Sequence, residues 1–184
     1  MIPLRDNVPA RRFPIVTIAL IAANVAVFFY QYLLMPETAQ RTIFLYGLIP
    51  RELTSGVQTV PRPFPPEVTL VTSMFVHGGF FHVAGNMLYL WIFGDNVEDA
   101  MGHARFIFFY LLSGLAAAFS QVISGPNSAI PMVGASGAVS GILGRTFSCT
   151  RTPASSPSSP SAGSGASSRS PRCSCSDSGS WCRS

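Results

Sequence analysis

Long charge-free stretches dominate the first 144 residues. No charged residue occurs between Arg12 and Glu37, none between Glu67 and Asp95, and none across the thirty-nine positions between Arg105 and Arg145. A bilayer core takes about 20 apolar residues per helix. The first run therefore predicts a span at about 14–35 and the second a span at about 80–98. The third holds a full span at about 104–123 and the beginning of a fourth at about 135, with Ser124-Gly125-Pro126-Asn127 as the break between them. The fold class that follows is all-α, a polytopic membrane helical bundle. The opening run is too long, and lacks the small-residue cleavage site, for a cleavable signal peptide.

Composition agrees. Of 184 residues, 48% are apolar and 11% charged, against about 25% charged in a soluble domain. All twelve basic residues are Arg, and a net charge of +4 spread along the chain excludes a nucleic-acid binder. The four cysteines, Cys149, Cys173, Cys175 and Cys182, fall in the last forty residues, so no disulfide framework can staple the apolar part. Arg5, Arg11 and Arg12 precede the first span and predict a cytoplasmic N-terminus. The loop at 36–67, with Tyr46, Leu48, Ile49, Phe64 and the Pro-rich stretch 60–66, is then placed outside, at the membrane interface. Asp95, Glu98, Asp99, His103 and Arg105 form the cytoplasmic turn between the second and third spans.

Polar side chains at bilayer depth cost energy and are functional candidates by default. His77, His82 and Asn86 stand out. His82 and Asn86 are four apart, so they share a helix face and can present N–H donors to one point. Farther on, Gly134-Ala-Ser-Gly-Ala-Val-Ser-Gly141 places Ser136 in the first turn of the fourth helix, between glycines that permit close backbone approach. Helix N–H groups and the positive dipole end beside such a serine would stabilise an oxyanion. Blander readings stand beside these. Gly137 and Gly141 have the spacing of plain helix packing, and His77 has the option of bonding only a backbone carbonyl. A zinc site is disfavoured, because H-x4-H-x3-N lacks the Glu of H-E-x-x-H and leaves His77 off the shared face.

The stretch from about Leu70 to Gly144 resembles the rhomboid family of intramembrane serine proteases. His77-Gly-Gly-Phe-Phe-His82-Val-Ala-Gly-Asn86 is similar to that family's H-x4-H-x3-N element, and Gly134-Ala-Ser136-Gly to its G-x-S-G nucleophile motif. The region of Glu98, Gly102, Arg105 and Phe109 resembles the turn into the third helix, and the first 35 residues a bacterial rhomboid start. The resemblance implies a six-span bundle in a bacterial inner membrane that cleaves transmembrane segments of other proteins. It implies Ser136 as nucleophile, His82 and Asn86 as oxyanion-hole side chains, and His77, Gly134 and Gly137 in support. No metal or organic cofactor is implied.

The family's catalytic histidine lies on the sixth span, yet the chain has only His77, His82 and His103. The first two are already placed and the third belongs to the cytoplasmic turn, so the base is absent from these residues; a serine without one is a poor nucleophile near neutral pH. From Arg145 onward there are fifteen serines and five arginines but no Leu, Ile, Val, Met or Tyr, a composition that cannot bury a core. The abrupt change at Gly144 predicts a shifted reading frame and a disordered tail over 145–184. Reading TCN serine codons one frame over turns these serines into Phe, Leu, Ile or Val. The expectation is an intramembrane serine endopeptidase, truncated and inactive as written. The alternative is a non-catalytic rhomboid-like protein that binds transmembrane segments.

Overall fold

A computed structural model describes residues 13–34 and 39–150. The Arg5, Arg11 and Arg12 cluster and the Ser-rich segment from 151 onward lie outside the described residues. Helix α1 (Ile15–Phe29) continues into a π-helical turn at Tyr30–Leu34. Two short helices follow, α2 (Ala39–Tyr46) and α3 (Pro50–Ser55), then a 3-10 turn at Pro66–Val68 and the single turn α4 (Thr69–Thr72). The long antiparallel pair α5 (Phe80–Met101) and α6 (His103–Ser124) comes next, and α7 (Ser136–Thr150) closes the bundle.

Only Gly102 separates α5 from α6. Its φ of +79° lies in the left-handed region that L side chains avoid, so the reversal within one residue needs glycine. The core formed by Met87, Leu90, Phe93, Phe106, Tyr110, Val139 and Ile142 joins α5, α6 and α7. Outside it, Phe81, Trp91, Phe108, Leu112 and Ile123 are exposed. Large apolar residues on the outer surface of a helical bundle fit hydrocarbon rather than water.

Two described helical stretches are long and apolar enough to cross a membrane, Ile15–Leu33 and His103–Ser124. The second expected span is as long but does not qualify: the apolar part of α5 stops at Gly94, and Asp95, Glu98 and Asp99 occupy its last two turns. Residues 145–150 correct the tail reading, since α7 runs six residues past Gly144 to Thr150. Apolar content is a poor guide to helix ends, because backbone bonds propagate through any residue but proline, and the next proline is Pro153. Thr146 joins in by donating its hydroxyl to the Ile142 carbonyl at 3.1 Å.

The segment expected to lie along the interface is more ordered than its composition suggests. Glu52 is buried in an ion pair with Arg62 and accepts hydrogen bonds from the Thr59 hydroxyl and backbone N–H. Leu48 forms a two-way backbone bridge with Met132, and the Arg51 N–H donates to the Ser128 carbonyl at 3.1 Å. This subdomain thereby holds the strand-like approach to α7.

Helix α1 packs Val16, Leu20, Ile21, Val25 and Phe28 against the core, yet its most deeply buried side chains are polar. Thr17 and Asn24 of α1 and Gln31 of the π-helical turn are fully buried, spaced seven apart, while Ile15, Phe29 and Tyr30 face outward. Each inner side chain has a partner. The Thr17 N–H and hydroxyl donate to Glu98 Oε2 at 2.8 and 2.7 Å, and the Val16 N–H donates to Glu98 Oε1 at 2.9 Å. Asn24 Nδ2 donates to the Leu20 carbonyl and Gln31 Nε2 to the His77 carbonyl. Glu98 is 1% exposed and thus caps α1 as an acceptor for its orphan N–H groups, at the end where a negative charge is favoured.

Candidate active site

Residues 73–79 bring the chain into α5, and residues 131–135 bring it into α7; the two segments meet. The Gly134 N–H donates to the Ser73 carbonyl at 2.8 Å. Gly134 has φ +110°, and a β-carbon there would stand 2.5 Å from His82 Cε1, 2.6 Å from its Nε2 and 3.5 Å from Asn86 Nδ2. Position 134 must therefore be glycine for two reasons: the backbone conformation, and the ring that fills the space. His82 and Asn86 sit one helical turn apart on α5 and converge on this one backbone point. Asn86 Nδ2 is buried and donates to nothing within the described residues, an orphan donor that costs free energy unless a ligand accepts from it.

His77 precedes α5 and is fully buried. Its carbonyl accepts from Gln31 Nε2 at 3.1 Å, its Nδ1 lies 3.2 Å from the Phe75 carbonyl, and its Nε2 lies 3.5 Å from the Ala135 amide nitrogen. A backbone N–H can only donate and a carbonyl can only accept, so the proton sits on Nδ1 and Nε2 presents a lone pair. Burial first, and electrostatic repulsion from the neighbouring His82 second, push this imidazole down to about 4, so it is neutral at pH 7. The two rings meet edge to face with centroids 5.2 Å apart.

Ser136 is the first residue of α7 and is exposed, two positions beyond Gly134. At this position its own N–H and that of Gly137 have no intrahelical acceptor. The arrangement offers a hydroxyl, helix N–H donors and two α5 side chains at one end of the bundle. Gly137 faces elsewhere: a β-carbon on it would run into Ala117 of α6, just as one on Gly141 would run into Ser113. The glycine pair thus sits at the α6–α7 contact. His103 lies at the other end of α5, its Nδ1 2.6 Å from Glu98 Oε1. Twenty-one residues separate His82 from His103, about 30 Å along the helix at 1.5 Å each.

Sequence reasoning overlooked Gln31 and Ser73, which hold His77 and Gly134. The seven-residue spacing of Thr17, Asn24 and Gln31 was the available signal for the first. Nothing in the pattern marks Ser73, whose contribution is a backbone carbonyl.

The chain is a helical bundle with membrane-capable helices, and the turn just before the helix-opening Ser136 packs on His77, His82 and Asn86. Residues 66–155 match the Rhomboid domain family. The chain is 39% identical over 75 residues to "Rhomboid protease GluP" of Bacillus subtilis, covering 41% of this chain and 14% of that protein. It is 34% identical over 79 residues to "RHOMBOID-like protein 5" of Arabidopsis thaliana, covering 43% and 26%. It is 32% identical over 138 residues to "Presenilin-associated rhomboid-like protein, mitochondrial" of Homo sapiens, covering 73% and 32%. The domain match and these relatives support the rhomboid family for this chain. The relatives span a bacterium, a plant and a mammal, and the chain spans less than a third of the length of each. No solved structure gives a significant match.

Proposed function

We propose that this chain carries the nucleophile half of an intramembrane serine endopeptidase that cleaves transmembrane segments of other membrane proteins. Ser136 is the nucleophile, and His82 and Asn86 with the first N–H groups of α7 form the oxyanion hole. The observation that carries the reading is Gly134, shaped to the His82 ring and the unpartnered Asn86 amide two residues before an exposed helix-opening serine. His77 and Gly134 support the turn and Gly137 the seat of α7. The chemistry needs no metal or organic cofactor. The setting is a bacterial inner membrane with the N-terminus in the cytoplasm, and the partners are transmembrane substrates and lipid rather than nucleic acid.

The general base is not among the three histidines. The His77 lone pair faces the Ala135 N–H, His82 packs under Gly134, and His103 is at the far end of α5. That observation favours the second reading as well, in which the 184 residues bind transmembrane segments without cutting them. A serine-directed fluorophosphonate and a transmembrane model substrate test both readings. The 184-residue chain should be neither labelled nor active, whereas a chain read in the other frame after Gly144 should gain a base and show both, with Ser136→Ala abolishing them. Robust labelling of the 184-residue chain defeats the missing-base argument. A re-framed chain indifferent to Ser136→Ala defeats the protease assignment.

A further inference from the structure

The π-helical turn at the end of α1 is an unusual element, since such turns are rare and cluster at functional sites. Among its described side chains the fully buried one is Gln31, and it reaches across the bundle to the residue behind the nucleophile turn. Gln31 Nε2 donates to the His77 carbonyl at 3.1 Å, and no flip of the amide would serve, because a carbonyl offers no proton. His77 then meets Phe75 through Nδ1 and Ala135 through Nε2. The last contact is long at 3.5 Å, so it tolerates little further drift of His77. Gln31 lies outside the residues that match the Rhomboid domain, 66–155, yet it bonds directly to one that lies within them.

We propose that Gln31 is a positioning residue for the Ser136 turn: by fixing the His77 backbone it keeps Nε2 against the Ala135 N–H and so sets where α7 begins. This rests on the reading of Ser136 as nucleophile. Helix α1 thereby does two jobs at its two ends, docking on Glu98 through Thr17 and holding the site through Gln31.

The test uses the 184-residue chain in detergent micelles with nitrogen-15 histidine and alanine. The wild-type His77 should show its proton on Nδ1, and Ala135 a slowly exchanging amide. Gln31→Met keeps the volume but cannot donate. It should speed Ala135 exchange about tenfold, the equivalent of one hydrogen bond, and mix the His77 tautomers while His103 signals stay put. Gln31→Glu in its protonated form should restore wild-type values, because the carboxylic acid O–H can donate in the amide's place. Asn24→Leu, one heptad back on the same helix, should leave both signals alone. Unchanged exchange and tautomer in Gln31→Met would overturn the proposal. So would equal changes at His103 or in Asn24→Leu, or failure of both Gln31 variants to fold, each of which marks a general loosening. Failure of Gln31→Met alone, with wild-type signals in Gln31→Glu, supports the need for a donor. None of these signals uses the chemistry of Ser136, so they stand or fall separately from the Ser136→Ala result.

Discussion

The imidazole of His82 occupies the space that any side chain at Gly134 would need. The helix-opening turn and the α5 histidine are therefore fitted to one another, and neither can shift alone. Gly134→Ala combines a φ of +110° with a β-carbon 2.5 Å from the ring, and overpacking of this kind costs about 1–3 kcal/mol. In a re-framed, active chain it should remove fluorophosphonate labelling at Ser136 while the far-end Glu98–His103 contact persists by histidine NMR. Wild-type labelling rates in Gly134→Ala would show that the turn and the ring are not coupled.

His82→Ala and Asn86→Ala in that same re-framed chain should lower the cleavage rate without abolishing it. Loss of one oxyanion donor costs about 10²- to 10³-fold. Asn86→Ala also removes a buried amide whose Nδ2 donates to nothing in the described residues. Its stability should therefore fall little even as its rate collapses, a split that paired unfolding and cleavage measurements would reveal.

Glu98→Gln removes a buried charge that collects the N–H groups of Val16 and Thr17, the Thr17 hydroxyl and His103. Hydrogen bonds to a charged group are worth about 1.5–3 kcal/mol each, and part of that survives in the amide. A loss of about 2 kcal/mol is expected, with Thr17→Val costing about 1 kcal/mol by the same accounting. Denaturant unfolding in micelles would check the order. A Thr17→Val loss as large as that of Glu98→Gln would mean that the hydroxyl, rather than the capped helix end, is what matters.

His77 lies before α5, outside the spanning helices, and its folded value of about 4 stands below the ordinary 6.5. The unfolded chain therefore binds the extra proton first as pH falls. The stability that neutral His77 contributes is present in full above pH 6.5, declines as pH drops from 6.5 toward 4, and changes no further below that. Comparing unfolding of the wild type and of His77→Phe at pH 7, 5.5 and 4.5 isolates this group from the carboxylates. A wild-type curve parallel to that of His77→Phe would contradict the assignment.

Gly141→Val should separate α6 from α7, because its side chain would meet Ser113, while Gly144→Ala, with open space around position 144, should be silent. Overpacking predicts a loss of about 1–3 kcal/mol for the first. Equal effects at the two positions would mean that the small residues do not set the helix contact.

Much of the architecture was legible along the chain because its signals are local. Charge-free runs of spanning length mark the long helices, and the spacing from His77 through His82 to Asn86 and the glycines around Ser136 mark the candidate site. Other features required three-dimensional contacts. Periodicity in α1 was hidden because apolar residues lie on its core-facing and outward sides alike and only its most deeply buried positions are polar, so a scan for apolar stripes finds a uniform run. Glu98 reads as one more charge at a turn until α1 docks its N-terminus on it. Gln31 gains its role only through a residue 46 positions away. Local spacing tells which side chains share a face; which backbone group they meet depends on how two segments distant in sequence pack, and that is decided by the tertiary structure alone.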